Sequence, residues 1–167
     1  QMDFIQSAKL GFDKEHVVVI NSARNLTRAE QNAFVNSLGE LRGVAKVGTS
    51  TSVLGRGFST SRLRARGSEQ EQQLNFMPVG YDYLDVVGIQ IIEGRGFSRN
   101  FPADTLNNGV SGGPLSQSLG GIVINERAVR EFGLERPVVG KQLIWDTDGD
   151  TTYYVDVIGV ARDFHFT

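Results

Sequence analysis

The chain has no cysteine. Its absence removes disulfide frameworks and thiolate metal sites together, without fixing the compartment, since an exported domain can fold with no disulfide. Histidine is nearly as scarce: only His16 and His165 can serve as a neutral-pH base or an imidazole ligand. An excess of one charge is also missing. Seventeen Lys and Arg stand against 19 Asp and Glu, and a formal net charge of −2 gives no electrostatic footprint for nucleic acid. No apolar run approaches the ~18 residues of a membrane span, and the first residues lack the basic-then-apolar pattern of a signal peptide.

Glycine is what the chain has in excess. Twenty in 167 residues, about 12% against a usual ~7%, call for many turns. The hydrophobic and charged shares, 40% and 22%, are ordinary globular values. A chain of this length forms one domain or two small lobes and buries roughly 70% of its extended surface. It opens on Gln1-Met2 and stops at Phe166-Thr167 inside an extended pattern, so both ends are expected to continue in a longer protein.

Residues 1–10 suit a helix with Phe4, Ile5 and Ala8 on one side, either packed on the core or continuing a membrane helix outward. The run 16–20 (HVVVI) reads as a central strand buried on both faces. Thr27 and Glu30 have capping-box spacing, and Ala33, Phe34, Leu38 and Leu41 give the helix they introduce an apolar face. Residues 44–53 read as a second strand, which completes a β-α-β unit. Arg62, Arg64 and Arg66 alternate with Leu63 and Ala65 on a further strand, as a phosphate-binding row or a solvated face beside Glu69 and Glu71. Another strand is expected over 74–79, and Asp82 is expected to cap a helical turn over 83–87 that Gly88 ends.

Residues 121–143 read as strand, short helix, turn and strand, with Asn125 as N-cap, Ala128, Val129 and Phe132 on the buried side, Gly133 as the left-handed stop, and Pro137 and Gly140 in the turn. From 153 the chain is β-rich, with a bulge or bend at Gly159, and makes a hairpin with the strand around Trp145. Residues 98–120 are the exception, a stretch of 23 residues rich in Asn, Ser, Gly and Pro without periodicity. Loops of such length are uncommon unless functional or disordered. Phe101, Leu106 and Leu115 on it either tuck back onto the domain or contact a partner.

Reactive motifs are incomplete. Gly109-Val110-Ser111-Gly112-Gly113 matches G-x-S-x-G, but Pro114 follows where a nucleophile elbow needs a helix, and neither histidine sits in a protease-type motif. Asp146, Asp148 and Asp150 with Gly149 resemble the start of a calcium loop, yet Val157 occupies the position of the closing glutamate, so a hairpin turn or weak cation binding is expected there. Gly55-Arg56-Gly57 and Gly140-Lys141 lack the rest of a phosphate loop. Asp163 and His165 share a strand face, as a proton relay or a structural hydrogen bond. No catalytic, cofactor-binding or metal residue is assigned.

Four segments in order, LGFDKEHVVVI (10–20), IIEGRGFS (91–98), INERAVREFGLERPVVGKQL (124–143) and VIGVARDFHF (157–166), resemble the extracytoplasmic core domain of MacB/FtsX-type ABC-transporter permeases. The resemblance implies an α+β fold in two lobes. A porter-like β-α-β lobe next to the membrane would comprise 1–53 and 151–167, incomplete at its end, and a β-rich lobe with short helices, 54–150, would be inserted into it. It also implies a non-catalytic domain on the periplasmic face of the bacterial inner membrane. Such a domain transmits ATP-driven motion from a cytoplasmic ABC ATPase to a substrate or periplasmic adaptor, in a dimeric or pseudo-dimeric permease whose isolated domain is a monomer. The alternative is the extracytoplasmic ligand-sensing domain of a membrane signalling receptor, and a serine hydrolase is a third reading.

Overall fold

In the computed structural model the described residues are 16–21, 26–53, 57–101, 104, 118–146 and 152–164. They form an α+β fold built on one mixed sheet. The elements in chain order are α1 (Arg28–Gly39), β1 (Ser59–Ala65), β2 (Glu71–Phe76), α2 (Tyr83–Val86), β3 (Ile91–Gly94), β4 (Ser118–Asn125), α3 (Glu126–Glu131), β5 (Gln142–Asp146) and β6 (Thr152–Ala161).

The ten-residue β6 organises the sheet because its alternation is apolar enough to be buried on both faces at its C-terminal end. β4 runs parallel along it, while β5 and β3 are antiparallel to its first and last parts. β5 also pairs with β1, and β1 with β2, so the path β2-β1-β5-β6 ends in three strands gathered round one. The register of β4 against β6 slips between Ile122–Val157 and Val123–Gly159, which places the expected irregularity at Ile158 and Gly159.

Neighbouring residues of a strand point to opposite faces, and two cores follow from that alternation. Val160 belongs to the larger core, with Leu63, Ile124, Val129, Phe132, Val138, Leu143 and Val157. Ala161, one residue on, belongs to the smaller core on the other face, with Tyr83, Val87 and Ile89. The larger core is closed by α3, which Asn125 caps by accepting from Ala128 N at 3.0 Å. Gly133 ends it with φ +60°, a left-handed residue that costs glycine little. Leu143, Val138, Val157 and Val160 are fully buried, and each aliphatic group removed from water contributes about 2 kcal/mol.

Several expectations need correction. Within residues 16–20, His16 has φ +63° and 17–20 pair with no strand among the described residues, and Val18 is 85% exposed. A strand exists only where another supplies its hydrogen bonds, and none of the described residues does so. Residues 44–53 form no strand among the described residues and hold isolated bridge positions, one of them between Ser50 and Val79. The strand expected over 74–79 forms earlier, at β2. Asp82 holds the N-cap position of α2 without a side-chain hydrogen bond to it. The boundary expected at 150/151 does not divide the sheet, since β6 is bonded to β3, β4 and β5. The expected helix at 1–10 lies outside the described residues.

Candidate functional site

The end of β3 carries the densest set of unusual contacts. Gly94, with φ +70°, lies so close to β6 that a Cβ there would fall 2.4 Å from Ile158 O, and a Cβ on Gly159 would fall 2.2 Å from Arg95 O. Two glycines thus let residues 94–95 lie directly on β6, and Arg95 N donates to Ile158 O at 3.1 Å. The backbone of Arg95 is held before its side chain does anything.

That side chain meets Asp104. The guanidinium donates to both carboxylate oxygens, one of them at 2.8 Å, and Ser98 N donates to the same carboxylate at 3.0 Å. The Asp104 side chain is 2% exposed and that of Arg95 35%, so the ion pair is shielded on the acid's side and half-open on the base's. Bidentate geometry and low exposure put it among the stronger charge-assisted pairs. The Arg95 hydrogen bond, helped by the Ser98 N–H, holds the Asp104 pKa below its usual range against the opposing pull of burial. Phe101 N donates to Ser98 O and Asp104 N to Phe101 O, which winds the turn around the carboxylate. Above it, the Phe101 ring lies 3.8 Å from the guanidinium carbon, a cation–π contact. Nearby, Arg99 stands over the Tyr81 ring at 5.2 Å and 3.8 Å from Asp82.

Of the residues singled out for partner contact, Phe101 is 47% exposed and stacked as described. Leu106 and Leu115 lie outside the described residues, as do Ser111, His165, Asp148 and Asp150. His16 is exposed. Asp163 accepts from Arg127 N at 2.7 Å and from the Arg130 guanidinium at 2.7 Å, which ties residue 163 to the N-terminus of α3. Arg64 and Arg66 bond to Ser68 O and to the Gln142 side chain, and Arg66 stands over Tyr154, so these two arginines of the row are engaged within the domain. Glu93 fastens the turn after α3: its carboxylate accepts from Val138 N and Val139 N, which lower its pKa, and from Arg136. Arg95 and Asp104 were not found from sequence. An arginine and an aspartate nine residues apart carry no local periodicity, and only the fold shows that they meet.

Among the described residues no group of His, Asp and Glu could hold a metal ion, and no helix is long and apolar enough to cross a membrane. A groove of about 650 Å³ beside Arg95, lined by Gly94, Val139, Gly140, Asp156 and Ile158, is too open to enclose a small molecule. The arrangement at Arg95 presents an aromatic ring on a rigid ionic base, which suits binding rather than bond-making.

No protein-family profile and no curated protein sequence matches the chain. Solved structures do. The periplasmic region of MacB from Actinobacillus actinomycetemcomitans superposes with a TM-score of 0.52 at 19% identity, over 79% of this chain and 50% of that one. The extracellular domain of the ABC-type transporter YknZ from Gram-positive bacteria gives 0.49 at 20% identity, over 77% and 55%. A domain of a candidate permease protein from Porphyromonas gingivalis gives 0.46 at 20% identity, over 75% and 46%. The chain has the fold of the MacB periplasmic region and spans about half its length.

Proposed function

We propose that this chain is an extracytoplasmic core domain of a MacB/FtsX-like ABC-transporter permease, at the periplasmic face of a bacterial inner membrane. Its role there is to carry ATP-driven motion to a substrate or periplasmic partner. The observation that carries the reading is the fold shared with the periplasmic region of MacB. The four sequence segments that resemble the family agree with it, and three of them supply elements around β6: 91–98 supplies β3, 124–143 supplies α3 and the start of β5, and 157–166 the end of β6 itself.

The domain has a mechanical task in this reading and no chemical one. The described residues offer a doubly cored sheet, suited to moving as a unit, and an aromatic on a fixed turn, suited to contact. Phe101, Leu106 and Leu115 are the proposed partner contacts, supported at Phe101 by its exposure. The two-lobed organisation belongs to the proposal as well, with 152–161 reassigned to the β-rich lobe because β6 is its central strand. The cytoplasmic ATPase is reached through the membrane part of the permease, which acts as a dimer or pseudo-dimer.

The parent gene and its product test this. Membrane helices on both sides of the segment, an ATPase that copurifies with the full-length protein, and a reporter fused within the segment that is active only outside the cytoplasm are the expected results. A kinase or cyclase module beyond the second membrane helix would replace the proposal with a signalling receptor.

A further inference from the structure

We propose that Arg95, Ser98, Phe101 and Asp104 form a latch whose lid is the Phe101 ring, so that whatever engages the ring also sets how firmly the turn is held. For its use the latch rests on the partner-contact reading above; for its geometry it does not. The carboxylate is almost wholly buried, but the guanidinium that pairs with it is about one-third exposed, and Phe101 lies 3.8 Å over it. The ring therefore covers one face of the half of the pair that water can reach. An ion pair weakens as water replaces low-dielectric cover, so lifting the ring loosens the pair, and with it the Ser98 N–H bonded to the same carboxylate.

Coupling of this kind runs both ways. A partner that draws the ring into a pocket of its own uncovers Arg95, and a loosened Arg95–Asp104 pair releases the ring more readily to that partner. The Arg95 backbone is bonded to Ile158 O on the central strand, so the latch is anchored to the most buried part of the sheet rather than to another loop. Among the described residues, the contact shown for the ring is the guanidinium beneath it: the ring is 47% exposed and belongs to neither core.

Amide hydrogen exchange on the whole chain, read residue by residue by NMR, tests this without any partner. In Phe101→Ala, exchange at Ser98 and Asp104 is expected to speed up about fivefold while Val157 and Val160 keep the parent rates. In Asp104→Asn the same two amides speed up about tenfold or more, and Arg95→Lys, which keeps the charge but loses the fork, falls between. Unchanged exchange at Ser98 in Phe101→Ala overturns the latch, because the ring then covers nothing that matters. Equal acceleration at Val157 and Val160 overturns it too, because Phe101 would then be supporting the fold as a whole. The permease reading fails or stands on membrane topology, a measurement that these variants do not touch.

Discussion

Gly121 lies against Ile158 and Gly159 against Arg95, so an added methyl group meets different obstacles. At Gly121 a Cβ would come within 2.8 Å of the Ile158 side chain, which can rotate, whereas at Gly159 it would come within 2.2 Å of the Arg95 carbonyl, which cannot. Gly159→Ala is therefore expected to lose about 3 kcal/mol or to fail to fold, and Gly121→Ala only about 1 kcal/mol. Urea unfolding of the two variants side by side checks the order. Asp104 makes a second prediction at this scale. Its folded pKa lies below the ordinary value of 3.8, so its contribution is fully present above about that pH and is lost as pH falls through the depressed folded value. Asp104→Asn, which leaves Arg95 half-buried without its counter-charge, is expected to cost about 2 kcal/mol at pH 7 and progressively less below pH ~3.8. A stability gap that stays constant down to pH 2 would show that the carboxylate's charge is not what holds the turn.

At the scale of elements, α1 and α3 show how a good local signal can have two outcomes. Both carry side-chain caps: Thr27 and Glu30 complete a capping box on α1, and Asn125 caps α3. α3 is half the length of α1 but buries Ala128 and Val129, whereas no described side chain of α1 is buried and Phe34 is 38% exposed. Isolated helices of a dozen residues are marginal in water, so α1 depends on its cap in a way α3 does not. Thr27→Ala is expected to reduce the helical chemical shifts of 28–39 markedly while leaving the main unfolding transition within about 1 °C of the parent. A drop of several degrees would mean that α1 is packed on the sheet after all. The same contrast explains what was legible in the sequence. The caps at Thr27 and Asn125, the stops at Gly88 and Gly133, the β5–β6 hairpin and the break at Gly159 are local events and were readable. Pairing is not local. The run 16–20 has the composition of a central strand, and nothing in it tells whether a neighbour is present. At the site, Phe101 was legible as an apolar residue in a polar loop, but Arg95 and Asp104 were not, because their meeting depends on β3 lying across β6.

For the whole molecule, the distribution of burial divides the chain more sharply than any sequence boundary. Among the described residues, every member of the two cores lies between 63 and 164, and six of the eight large apolar residues left exposed, from Val18 to Val44, lie before residue 45. The join between these parts is short and specific. Gly48 packs so tightly on α2 that a Cβ would sit 2.7 Å from the Tyr83 Cα, Gly80 N donates to Thr49 O at 2.7 Å, Thr51 N donates to Pro78 O at 3.1 Å, and Ser50 hydrogen-bonds Tyr83. Residues 46–51 thus serve the sheet, Lys46 through its ion pair with Asp85 of α2. A fragment beginning at residue 45 should therefore keep a single cooperative transition within about 3 °C of the full chain, and it should bind less hydrophobic dye and aggregate less, because it has shed the exposed Val18, Val19, Ile20, Phe34 and Leu41. Calorimetry and dye fluorescence on the two proteins decide the matter. A fragment that unfolds many degrees earlier would show that the first 44 residues stabilise the sheet. One that keeps its transition would show that the sheet folds without them.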